Sequence, residues 1–112
     1  MLRVTNDFNE VEATIAERGN AVVYFTASWC GPCRALKPQY ARASVIDADR
    51  DYFLVDIDEV DPQVVKDFGI QSVPRLMAGW TTQDDTFVYT KYLALDARRA
   101  QEIVDEVAST VV

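Results

Sequence analysis

The stretch Ala21-Val22-Val23-Tyr24-Phe25-Thr26-Ala27-Ser28-Trp29-Cys30-Gly31-Pro32-Cys33-Arg34 runs from a short apolar segment into a pair of cysteines, and its reading decides the fold. Residues 21–25 form a β-branched and aromatic run with no polar alternation, the pattern of a strand covered on both faces. A central strand is predicted there. The cysteines follow directly. From Arg34 to Asp47, Leu36, Tyr40 and Ala43 recur at helical spacing, with Pro38 expected to kink the helix they define.

Towards the N-terminus, Phe8, Val11 and Ile15 predict a helix over residues 7–18, capped by Asn6 or Asp7 and stopped by Gly19, behind a very short opening strand at Leu2 to Val4. Towards the C-terminus, Tyr52 to Ile57 is a second buried-strand pattern. Asp61-Pro62 then sets an N-cap and a first-turn proline for a short helix ending at Gly69. Ser72 to Ala78 predicts a third strand with Pro74 near its start, Thr81 to Asp85 a turn, and Phe87 to Leu93 a strand in hairpin with the third. Asp96 caps a last helix whose stripe of Ala100, Ile103, Val104 and Val107 is core rather than a cofactor box. Strands alternating with helices and ending in a hairpin predict an α/β fold, a central mixed five-stranded sheet flanked by four helices.

With 112 residues, no repeat, no linker and no low-complexity segment, the chain is expected to be one domain over residues 1–112. Hydrophobic residues make up 49% of it, enough for a core without metals or staples. The 11 Lys and Arg stand against 18 Asp and Glu, and the net charge of -7 argues against a nucleic-acid partner. Asp47, Asp49, Asp51, Asp56, Asp58, Glu59 and Asp61 crowd one stretch, expected to be a solvated face; it lacks the glycine and closing glutamate of an EF-hand loop. Neither a signal-peptide core at Met1 to Asp7 nor a membrane-length apolar run is read, so a cytoplasmic protein without membrane contact is expected.

Two thiols separated by two residues at a helix start can close a small disulfide ring or open to a dithiol. Cys30 is expected at the helix N-cap, where free N–H groups and the macrodipole favour a thiolate; Cys33, one turn inside, is expected to be buried and less acidic. Pro32 suits the first turn, Gly31 lets a partner chain approach closely, and Trp29 walls the site. Two other readings stay open: a structural cysteine pair packing as small hydrophobes, or half of a zinc site. The chain has no His and only two Cys, so zinc lacks ligands and hydrolytic nucleophile–base pairs lack a base. Thiol exchange needs neither. No metal site is expected.

At Trp29-Cys30-Gly31-Pro32-Cys33, with a buried strand before it and a helix containing Pro38 after it, the chain resembles the thioredoxin family over nearly its whole length. The resemblance implies the thioredoxin fold and makes Val73-Pro74 the family's cis-proline site, facing Cys30; a plain strand-start proline is the alternative. It implies that Cys30 and Cys33 are catalytic and that an extended substrate lies along Trp29, Gly31, Pro32, Val73, Pro74 and Arg75. Cys30 attacks a partner disulfide and Cys33 resolves the mixed disulfide, with no cofactor. The implied partners are disulfide-containing proteins and a thioredoxin reductase or equivalent electron donor, and a monomer is expected. A disulfide oxidase or isomerase, or a non-catalytic binding module using the apolar rim, are the alternatives.

The chain departs from the family at several positions. Tyr24 stands where thioredoxins usually carry a buried Asp that assists the second cysteine, and Leu54 where they carry a buried Lys. A phenol cannot act as base near neutrality, so slower resolution by Cys33 is expected. Thr26 replaces a common aromatic, Arg75 a common Thr and Leu93 a frequent Gly. Arg75 either stabilises the Cys30 thiolate or draws an acidic partner, or else points to solvent.

Overall fold

The computed structural model describes residues 2–47 and 50–93. Its elements are β1 (Leu2–Val4), α1 (Phe8–Arg18), β2 (Asn20–Thr26), α2 (Gly31–Ile46), β3 (Tyr52–Asp56), α3 (Pro62–Asp67), β4 (Arg75–Thr81) and β5 (Phe87–Leu93). The expected fourth helix, behind Asp96 with Ala100, Ile103, Val104 and Val107, lies outside the described residues. One mixed sheet has the order β1-β3-β2-β4-β5, with β1, β3 and β2 parallel, β4 antiparallel to β2 and β5 antiparallel to β4.

The central strand is β2, as its unbroken apolar run requires. Tyr24 lies opposite Leu54 of β3 on one side and Leu76 of β4 on the other. Val22 and Tyr24 face α2, packing with Leu36, Tyr40, Tyr52 and Leu54, whereas Ala21, Val23 and Phe25 face α1 through Phe8, Val11 and Ile15. Full burial of each such Val or Phe contributes roughly 1.5–3 kcal/mol. A one-residue slip of β2 would exchange the two faces, so two different cores hold the register.

Local chemistry sets the element ends. The Asp7 side chain accepts from the Asn9 N–H at 3.0 Å to start α1, and Gly19, at φ 94, turns its N–H back to the Ile15 carbonyl at 2.8 Å to end it. That left-handed turn, open to glycine without strain, lets β2 begin at the next residue. Asp61 likewise caps α3, accepting from the Gln63 N–H at 2.9 Å.

The α2 helix starts at Gly31 with Cys30 at its N-cap, as expected, because Pro32 needs no N–H in a first turn, and the periodic stretch from Arg34 continues it through Pro38 to Ile46. One boundary shifts by several residues. The β4 strand covers residues 75–81 rather than 72–78. Pro74 has no N–H to give the ladder, so pairing with β2 begins at Arg75 opposite Phe25 and extends to Thr81, which pairs with Phe87.

The acidic stretch is not uniformly a solvated face. Asp51 is 7% exposed and binds Arg3 at 3.0 Å and Arg18 at 2.7 Å, tying β1 and the end of α1 to the entrance of β3. Asp47 accepts from the Tyr52 hydroxyl at 2.6 Å and pairs with Arg50 at 2.7 Å. Both carboxylates are spent on structure.

Candidate active site

The parallel strands β2 and β3 both end at the same edge of the sheet, and the loop from β2 into α2 carries the cysteines there. The Cys30 N–H donates to the Ala27 carbonyl at 3.1 Å, which closes the turn, and Cys30 takes the N-cap position with φ -88 and ψ 108. Its sulfur accepts from the Cys33 N–H at 3.2 Å. The two cysteines form a disulfide with their Cα atoms 5.3 Å apart. Cys33 is 1% exposed and Cys30 4%. A thiolate at Cys30 would thus sit on a donor of the first helical turn, at the positive end of the α2 dipole.

Beyond the disulfide, the Val73–Pro74 bond is cis, and the Val73 carbonyl lies 3.7 Å from the Cys30 sulfur. Cys30 and Val73 therefore meet, with Pro74 next in the chain. Gly31 and Pro32 are exposed, and a Cβ at Gly31 would meet nothing within 4 Å. Arg75 reaches towards the Gly69 carbonyl, 3.4 Å away at the end of α3.

Trp29 is 64% exposed, yet its indole is held: Nε1 donates to Asp58 Oδ2 at 2.8 Å. The Asp58 N–H in turn donates to Asp56 Oδ1 at 2.9 Å. Neither carboxylate is singled out by the sequence, where they merge into an acidic run. The usable signal is topological, since a residue just past the end of β3 must lie near the loop leaving the neighbouring parallel β2.

Behind the cysteines, Tyr24 is 1% exposed, its ring 4.9 Å from that of Tyr40. Its hydroxyl donates to the Cys33 carbonyl at 3.1 Å. Burial pushes the phenol's pKa well up, so it stays a neutral donor. Leu54 is buried opposite it, so among the described residues this pair of positions holds neither a carboxylate nor an ammonium and leaves no charge unpaired. A cleft of about 380 Å³ opens beside Cys33, lined among others by Thr26, Arg34, Lys37, Leu54 and Asp56. Among the described residues no cluster of three or more metal-binding side chains occurs, and no helix is long and apolar enough to cross a membrane.

The family model for thioredoxin matches residues 2–108. The chain belongs to the thioredoxin family. Thioredoxin H4 of Arabidopsis thaliana is 34% identical over 105 residues, covering 91% of this chain and 71% of that protein. Thioredoxin-1 of Schizosaccharomyces pombe is 28% identical over 66% of this chain and 71% of its own length. Thioredoxin H2 of Arabidopsis thaliana is 37% identical over 62% of this chain, which spans only 50% of that relative. In fold, the structure of Trichomonas vaginalis thioredoxin superposes with a TM-score of 0.77, covering 94% of this chain and 96% of that one at 21% identity. With its Cys-x-x-Cys pair intact, this thioredoxin-family chain is a thiol-disulfide oxidoreductase, an enzyme of the disulfide-reductase kind.

Proposed function

We propose that this protein is a general protein-disulfide reductase in which Cys30 is the attacking thiol and Cys33 the resolving one. One observation carries this assignment: the Cys30 sulfur is the N-cap acceptor of α2, 3.2 Å from the Cys33 nitrogen, and also lies 3.7 Å from the Val73 carbonyl. The helix end favours its thiolate, and the main chain at Val73, just ahead of β4, offers a partner peptide hydrogen bonds by strand addition. Trp29, Gly31, Pro32 and Arg75, next to the cysteines or Pro74 in the chain, are the residues assigned to the rest of the docking surface.

The reaction consists of two exchanges. Cys30 thiolate attacks one sulfur of a partner disulfide, and the other partner sulfur leaves as a thiolate. Cys33 thiolate then attacks Cys30, forming the Cys30–Cys33 disulfide and releasing the second partner thiolate. A thioredoxin reductase or an equivalent donor returns two electrons to the pair. The protein works as a cytoplasmic monomer, carrying electrons in cell redox homeostasis.

The test is turnover of a disulfide-bonded protein substrate with NADPH and a thioredoxin reductase, beside the reduction potential of the pair against glutathione. Turnover with a potential more reducing than glutathione is the expected result. A pair more oxidising than glutathione would assign an oxidase instead. A Cys30→Ser, Cys33→Ser protein that kept its biological effect would assign a binding module.

A further inference from the structure

Resolution by Cys33 requires its thiol to lose a proton, and the residue is only 1% exposed. Tyr24 cannot take that proton. Its hydroxyl already donates to the Cys33 carbonyl at 3.1 Å, and burial pushes its pKa up rather than down. Leu54, opposite Tyr24, has no titratable group. Among the described residues, neither Tyr24 nor Leu54 thus supplies the base that the two-exchange reaction needs at Cys33.

What the structure provides instead is the cleft of about 380 Å³ that has Cys33 in its wall. That volume holds several water molecules. The charged groups lining it are Arg34 and Lys37 from α2 and Asp56 from the end of β3; β1 contributes only Val4, and β2 with its following loop contributes Thr26, Ala27 and Ser28. Asp58, hydrogen-bonded to Asp56 through its main chain, turns its own carboxylate to Trp29. Asp56 is thus the one carboxylate among the lining residues. Its Oδ1 accepts from the Asp58 N–H at 2.9 Å, and its Oδ2 takes no hydrogen bond among the described residues.

The geometry points to Asp56 as the proton acceptor for Cys33, reached through water in this cleft, in place of the buried carboxylate whose position Tyr24 occupies. In the step, the Cys33 S–H passes its proton to a water of the cleft, which passes one on to the Asp56 carboxylate. The Cys33 thiolate attacks the Cys30 sulfur, the Cys30–Cys33 bond forms, and the bond from Cys30 to the partner sulfur breaks. The partner leaves as a thiolate and is protonated by solvent, while Asp56 returns its proton to bulk water. No outside oxidant or reductant enters. Arg34 and Lys37 favour the thiolate once it has formed. The assignment rests on the two-exchange reading above, because it concerns the second exchange alone.

Asp56→Asn removes the charge but keeps an Oδ1 to accept from Asp58, so the loop that carries the Trp29 contact stays held. The reduced protein is mixed in stopped flow with an aromatic disulfide whose thiolate absorbs, one equivalent being released in each exchange. The variant is expected to keep the first phase and to slow the second roughly tenfold or more near neutrality, with a steeper rise towards alkaline pH as hydroxide takes over. Thr26→Leu, which narrows the cleft without touching a charge, should slow the second phase too. A second phase in Asp56→Asn with the wild-type rate and pH profile would overturn the proposal, and so would an equal fall in both phases. Release of only one equivalent by the wild-type protein would instead overturn the two-exchange reading itself.

Discussion

The hydroxyl of Tyr24 donates to the main-chain carbonyl of Cys33 across 3.1 Å, in the part of the core where a thioredoxin usually places a carboxylate. The contact makes Tyr24 a packing and positioning residue for the start of α2, not a base. Tyr24→Phe should therefore lose about 0.5–1.5 kcal/mol for one buried hydrogen bond, measured by denaturant titration, and leave the rate of Cys33 resolution unchanged.

Tyr24→Asp has two opposed effects. It removes a ring packed at a tilt 4.9 Å from that of Tyr40 and leaves a carboxyl facing Leu54 without a cation, so a loss of roughly 3 kcal/mol or more is expected. It also restores a base beside Cys33, so release of the partner should quicken and its pH dependence move. An unchanged pH–rate profile for disulfide reduction would contradict the expectation that the missing buried acid slows resolution by Cys33.

Gly79 shows how closely α1 sits on the sheet. A Cβ at this position in β4 would lie 2.7 Å from both Ile15 Cδ1 and Tyr89 Cε1. Ile15 is fully buried and has little room to move. Gly79→Ala should lower stability by about 1–3 kcal/mol, read from thermal melting, with the chemistry at Cys30 retained.

Asp47 links stability to pH. Burial works against its carboxylate, but hydrogen bonds from Tyr52 and Arg50 outweigh it and hold the pKa below the ordinary 3.8. A carboxylate lowered in the folded state binds its proton more readily in the unfolded chain. Its contribution is therefore fully present above pH 3.8 and is lost as pH falls through the lower folded value. Melting temperatures of wild type and Asp47→Asn should differ near neutrality and converge as pH falls below 3.8; a constant gap would remove Asp47 from the acid response.

Much of this molecule is legible in its sequence. The unbroken run before Trp29 could only be a strand with both faces covered, and β2 lies mid-sheet between β3 and β4. Asp7, Gly19 and Asp61-Pro62 mark helix ends through local hydrogen bonding, which needs no tertiary contact to predict. The start of β4 was harder, since where Pro74 releases the chain into the ladder depends on the register with Phe25. Asp51, Asp56 and Asp58 were the least visible: one acidic run serves a buried pair with Arg3 and Arg18, the cleft beside Cys33, and the Trp29 indole. Only the folding of β3 separates those three roles.

The most direct test of the division of labour between the two cysteines is a trapping experiment with single serine variants and a disulfide-bonded protein substrate. Cys33→Ser should accumulate a covalent complex joined through Cys30, detected by mass spectrometry and released by added thiol, whereas Cys30→Ser should form none. A stable adduct on Cys33 in the Cys30→Ser protein, or continued substrate reduction by it, would contradict the assignment of Cys30 as the attacking thiol.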